Sequence, residues 1–243
     1  MHKNLKKVIS SIAALALSAS SFVALAATSY PDVAESANYY KAVTELSALN
    51  VINGYEDGTF GPEKLVTRAE ITKMIVAALG PAYTDAANAA AGQNTKFTDV
   101  TASHWAAGFV TEGTTVGFIA GMGDGTFAPN SYVTFAQATT MLVRTAGYEV
   151  WAKAQGYPQG YMSYGSQLEI TKGVNVDNNT ELNRGQVAIL IDNTLDAPIL
   201  KVTSYEVAAN GESVPKYTKM DGSNSDYPDK QTILTENHNA SRV

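Results

Sequence analysis

An internal offset of 67 residues limits what this chain can fold into more than any other feature. Laying Tyr30–Gly80 on Phe97–Gly147 without a gap makes about twenty of the fifty-one pairs identical. Among them are Asp32/Asp99, Val33/Val100, Val43/Val110, Gly54/Gly121 and Pro62/Pro129, and the tetrapeptide DGTF recurs whole at 57–60 and 124–127. A fixed period of this order predicts repeated supersecondary units packed on one another, not one catalytic pocket.

Each unit reads as helix, loop, helix. An opening PDV or TDV leads into an amphipathic helix, about Asn38–Asn50 and Ser103–Gly117. Gly54 and Gly121 read as helix stops in the left-handed conformation, followed by tight turns at Asp57-Gly58 and Asp124-Gly125. Phe60 and Phe127 are expected to return to the core, and Pro62 and Pro129 to stiffen the loop. The second helix is predicted over Arg68–Leu79 and Phe135–Ala146, where Ile71, Ile75 and Leu79 keep helical spacing. A weaker third copy lies at 166–195, with a helix ending at Gly173 and another starting at Arg184. Its loop is about three residues shorter and lacks DGTF. The expected organisation is mainly α: a unit at 28–80, a linker at 81–96, a unit at 97–147, and 148–200 holding a second linker and the degenerate unit. So small a unit cannot bury both helices alone, so the three should pack together. Residues 201–243 read as irregular or partly β, the start of a further domain.

Residues 1–26 have the pattern of a secretory signal peptide: Lys3, Lys6 and Lys7, a short apolar run over Val8–Leu17, and Ala24-Leu25-Ala26 as cleavage site. Removing them moves the formal net charge from −6 to −9. That balance argues against nucleic acid, whose binding rests on basic residues neutralising phosphates. With no cysteine, disulfides and thiolate metal sites are excluded, and His104 is the one histidine in the body of the chain. No cofactor and no metal are expected, nor a transmembrane segment after signal cleavage.

The span Gly54–Glu70 admits several readings. As a calcium loop with Gly58 at the sixth position, it would offer Asn53, Tyr55, Asp57 and Lys64 as ligands, and the second copy Ala120, Met122, Asp124 and Ser131. Both fail the ligand pattern. As a catalytic pair, Glu56 and Asp57 lose a member, because Glu56 becomes Gly123. Thr67 and Glu70 read as a capping box, with Thr134/Gln137 and Asn183/Gln186 as its counterparts. Arg68 and Arg184 are not needed by a cap. They occupy the same position in the first and third units, where Phe135 stands in the second. An arginine beside free amides at a helix N-terminus suits a carboxylate or phosphate, with an ion pair between units as the structural alternative. Arg144 lies nine residues on, about half a turn around the helix from that position, and does not replace the missing arginine. Trp105 reads either as a platform for a sugar ring or as packing between units.

These residues resemble S-layer homology domains. FTDVTASHWA at 97–106 matches the family opening, and residues 54–70 match its G-Y-x-D-G-T-F-x-P…T-R-A-E centre. The resemblance implies a pseudo-threefold, three-pronged helical module, exported to the cell surface and associated with peptidoglycan. It implies non-covalent binding of secondary cell-wall polysaccharide, often through a pyruvate ketal on an N-acetylmannosamine unit, in grooves between prongs. The arginine role falls on Arg68 and Arg184; Trp105, Gly54, Gly121, Asp32 and Asp99 match further motif positions. Phe135 for arginine, Asn38 for tryptophan and the missing third turn put the number of working grooves at one or two. Three readings remain open: a non-catalytic anchor, the anchor of a longer surface enzyme such as a glycan hydrolase, and a self-assembling S-layer subunit.

Overall fold

The structure, a computed structural model, describes residues 29–238 and 240; the segment read as a signal peptide, 1–26, lies outside them. Three helices form its centre: α2 (Arg68–Ala78), α5 (Phe135–Thr145) and α8 (Arg184–Asp196). Their inward positions are fully apolar and buried, with Ile71, Ala138 and Val187 one turn in and Ile75, Leu142 and Ile191 a turn further. Each central helix packs on both others.

The chain closes around these helices as a ring. Just before each one, an extended residue donates its amide to a carbonyl of another unit. Val66 donates to Leu182, Leu182 to Val133 and Val133 to Val66, at 3.0, 3.0 and 2.9 Å. All three side chains are fully buried on the axis. The outer helices follow the same cyclic order. Helix α4 (Ala107–Val116) packs on α2, α7 (Gln159–Gln167) on α5, and α1 (Tyr40–Ala48) on α8. Taking α1/α2, α4/α5 and α7/α8 as three helix pairs, the first helix of each pair covers the second helix of the pair before it, and α8 completes the circle.

The outer helices are shorter than the sequence suggests, because turns precede Tyr40 and Ala107. Their ends also correct the reading of Gly54 and Gly121. The left-handed residues after α1 and α4 are Asn50 and Gly117, with φ 56° and 96°. Gly54 and Gly121 are glycines for want of room. A Cβ on Gly54 would lie 2.5 Å from the Tyr30 ring and 2.8 Å from the Thr59 carbonyl oxygen. On Gly121 it would lie 2.5 Å from both the Phe97 ring and the Thr126 carbonyl oxygen. Because one obstacle in each case is backbone, Gly121→Ala is expected to cost about 1–3 kcal/mol. A thermal melt showing no loss of stability would contradict this account.

The segment read as a first linker contains a helix, α3 (Pro81–Ala89), which packs on α2 and α4. Proline at its first position, after Gly80, presets the helical φ. The second linker holds α6 (Glu149–Ala154) and leads into α7, and Gly173 ends the turns that follow α7 in left-handed conformation.

Beyond α8, β1 (Leu200–Val207) and β2 (Ser213–Lys219) pair antiparallel, with a register irregularity between Val202 and Ser204. The segment then turns back into α9 (Ile233–His238). It is stitched to the helical body. The Leu200 amide donates to Ala146, the Tyr148 hydroxyl donates to the Pro198 carbonyl at 2.8 Å, and Ile233 and Leu234 are buried. The fold is mainly α with a small β element at its C-terminal side.

Candidate functional site

Each central helix starts in the same way. Its cap side chain, Thr67, Thr134 or Asn183, accepts from the amide three residues on, and Glu70, Gln137 or Gln186 reaches back to the cap amide. The first two helical amides are occupied as well. Arg68 and Ala69 donate to Ser131 and Pro129, Phe135 and Ala136 to Thr180 and Asn178, and Arg184 and Gly185 to Lys64 and Pro62. Free amides beside the arginines, which the sequence suggested as an anion site, are therefore absent. Each helix start is instead a joint with the loop of the next unit.

The arginines cross these joints. Arg68 Nε donates to the Phe127 carbonyl at 2.8 Å and Nη2 to that of Ala120 at 3.3 Å. Arg184 Nε donates to Phe60 at 3.0 Å and Nη2 to Asn53 at 3.2 Å. Each guanidinium also lies 4.7 Å from a ring centroid, Arg68 over Phe127 and Arg184 over Phe60. Two joints thus have one construction: an arginine at one helix start against the glycine loop of another helix pair. Gly121 lines the first, and Gly54 follows the Asn53 carbonyl in the second.

Asp32 and Asp99 brace those loops from behind. The two oxygens of Asp32 accept from Phe60 and Gly61 at 2.8 and 2.7 Å, and those of Asp99 from Phe127 and Ala128 at the same distances. Each phenylalanine residue therefore links an aspartate on its amide to an arginine on its carbonyl. Burial works to raise the Asp32 pKa, but the two amides outweigh it and hold the carboxyl below its ordinary value of 3.8. A carboxyl with a depressed folded-state pKa stabilises the fold above its unfolded pKa, and that contribution is lost as pH falls through the folded value. Stability should thus decline below about pH 4. Asp32→Asn should flatten that decline in urea melts taken between pH 6 and pH 3; an unchanged pH profile would count against the brace.

The two arginines differ in burial. Arg68 is 5% exposed at one wall of a cavity of about 330 Å³. Burial lowers its pKa, opposed by the nearby Tyr157 hydroxyl and the Asp99 carboxylate. Gln137, Thr140, Met141 and Arg144 of α5 line the same cavity, with Met122 and Tyr157. Arg184 is half-buried and lies between the Phe60 ring and Tyr55, whose centroid is 5.0 Å away. Lys64 Nζ sits 3.7 Å from the centre of that tyrosine.

Trp105 is 54% exposed in the turn before α4, against His104 and Phe109, and does not line the Arg68 cavity. The structure brings Arg68 to Gly121 and Arg184 to the Gly54 loop, and leaves Trp105 apart from the first pair. Arg144 and Tyr157 are the residues the repeat comparison overlooked. Arg144 was visible as one of only four arginines in the chain, but nothing in its helical position relates it to Arg68 of another unit.

Residues 29–72 and 96–139 match the family model of the S-layer homology domain, offset by the same 67 residues as the internal repeat. The chain is 36% identical over 201 residues to a cell surface protein of Thermoanaerobacter kivui, covering 82% of this chain and 26% of that one. It is 35% identical over 208 residues to a surface layer protein of Brevibacillus choshinensis, covering 84% and 18%. An endoglucanase of Bacillus sp. (strain KSM-635) is 26% identical over 179 residues, 70% of this chain and 18% of the enzyme. The chain thus spans about a fifth to a quarter of the length of these relatives. Among the described residues no helix is long and apolar enough to cross a membrane.

Proposed function

We propose that this chain anchors an exported protein to the cell surface without a covalent bond, by binding secondary cell-wall polysaccharide that carries pyruvate ketals. The observation that carries this reading is the twice-built arginine joint, the first with a cavity beside it. Arg68 and Arg184 make the same two carbonyl contacts and the same ring contact in different units. A structural staple alone would need neither a cavity beside Arg68 nor partial exposure of Arg184. A planar guanidinium held by Nε and one Nη keeps its remaining N–H groups for a carboxylate. An acidic protein can hold an anionic glycan when its few cations stand where the carboxylates land.

The third joint lacks both partners. Phe135 replaces arginine, and the loop it meets, which includes Asn178 and Thr180, has no DGTF turn. The reading therefore assigns two glycan grooves to a module of three units, the third a degenerate copy. The surface-protein matches support a place at the cell wall. The endoglucanase match supports a variant in which the same module tethers a longer enzyme, with chemistry outside these residues.

The test is co-sedimentation with purified wall polysaccharide, native and after chemical removal of pyruvate. The proposal expects retention on the native polymer and sharp loss on the depyruvylated one. Equal retention on both would remove the ketal from the reading, and retention on neither would overturn it.

A further inference from the structure

The Arg68 groove has a feature that the Arg184 groove does not share. Between α6 and α7 the chain brings Tyr157 to the cavity, where the ring is 62% exposed yet lines the same space as Arg68, Gly121 and Arg144. A tyrosine so exposed gains little by burial, and its place is fixed by neighbours instead. Its ring centre lies 6.2 Å from that of Tyr161, which is buried. The Tyr161 hydroxyl donates to Glu149 at 2.7 Å, and Arg144 donates to both oxygens of Glu149 at 2.7 and 3.4 Å. This chain of contacts runs from α5 through α6 to α7 and holds Tyr157 at the cavity. It also keeps the Arg144 charge compensated in the cavity wall, so Arg68 remains the cation available to a carboxylate.

We infer that Tyr157 is a specificity-determining residue of the Arg68 groove: its ring is the face on which the sugar ring of an acidic glycan unit lies while the carboxylate meets Arg68. The inference rests on the reading of that groove as a glycan site. An exposed aromatic face beside a desolvated guanidinium fits a ligand with an apolar ring face and one anionic edge. A pyranose bearing a carboxylate has that shape. A free inorganic anion would use only the arginine. The Arg184 groove has Tyr55 near its guanidinium, but that ring is occupied by Lys64 and Arg184. The two grooves therefore differ in how much of the sugar they grip.

The experiment isolates one groove. In an Arg184→Ala parent, calorimetry measures binding of the methyl glycoside of pyruvate-ketal N-acetylmannosamine to Tyr157→Ala, Tyr157→Phe and Tyr157→Trp, with thermal melts as a check on folding. Tyr157→Ala is expected to weaken binding roughly threefold to tenfold, with Phe and Trp holding the parent affinity. Unchanged or tighter binding by Tyr157→Ala would overturn the inference, the latter by making the tyrosine a cover over Arg68. If Arg68→Lys weakens binding in the same parent while Tyr157→Ala does not, the groove stands and the stacking role falls. If the parent does not bind the glycoside at all, the glycan reading of this groove and the inference fall together.

Discussion

A chain carrying both Arg68→Ala and Arg184→Ala should show no measurable retention on wall polysaccharide. Each arginine–carboxylate contact contributes roughly 1.5–3 kcal/mol, so each single change should weaken its own groove about 10- to 150-fold. The two single variants should differ in stability. Arg184 is half-buried, and water can replace its contacts with Phe60 and Asn53. Arg68 is buried, so its loss leaves the Phe127 and Ala120 carbonyls short of a donor and opens a gap between two units. Arg68→Ala should therefore cost about 2–4 kcal/mol of folding free energy in addition to binding. Arg184→Ala should cost under about 1 kcal/mol. Pull-down and thermal melting together separate the two effects. If the double variant melts cooperatively and still binds like the wild type, neither arginine meets the glycan.

The second large effect concerns the ring. Residues 29–147 contain both well-matched repeats, and a stack of repeats would let them fold as a pair. A closed ring does not. Without residues 148–200, Val66 loses its acceptor and Val133 its donor, both at Leu182, while α1 loses α8 and α5 loses α7. The inner faces of α2 and α5, including Ile75 and Leu142, would meet water. A fragment ending at Gly147 is expected to lack a cooperative thermal transition. In the whole chain, Leu182→Ala should cost about 2–5 kcal/mol, because the side chain is fully buried on the axis. At this chain length that is a fall in melting temperature of about 5–15 °C. A fragment that melts sharply, with the helix content expected for its length, would show that closure adds little.

Much of the architecture could be read from the sequence, because local chemistry repeats in it. The starts of α2, α5 and α8 follow from Thr67, Thr134 and Asn183 with Glu or Gln three residues on, since a capping box is a short-range device. Phe60 and Phe127 are fully buried in agreement with the pattern. Gly54 and Gly121 were misread because a sequence cannot separate a glycine needed for its φ from one needed for space. The obstacles at Gly54, Tyr30 and the Thr59 carbonyl, are placed by the fold. Helix α3 was missed because an alanine-rich, polar segment has no apolar stripe to mark it, and its stability comes from packing on α4.

By itself the sequence determined that two like units each contribute a capped helix and a glycine loop, and that a third capped helix begins at Arg184 without such a loop before it. Aligning repeats compares equivalent positions, such as Arg68 with Phe135. The arginine contacts are made between non-equivalent positions, Arg68 with 120–127 and Arg184 with 53–60. Only the tertiary structure decided which helix start meets which loop, because that depends on the cyclic order in which the units close. It joins two departures that the sequence presents as separate. The helix that begins with Phe135 meets the shortened loop of the third unit, through Thr180 and Asn178. Arg68 and Arg184 have the carbonyls of a full turn opposite them, and where that turn is absent a buried phenylalanine stands at the joint.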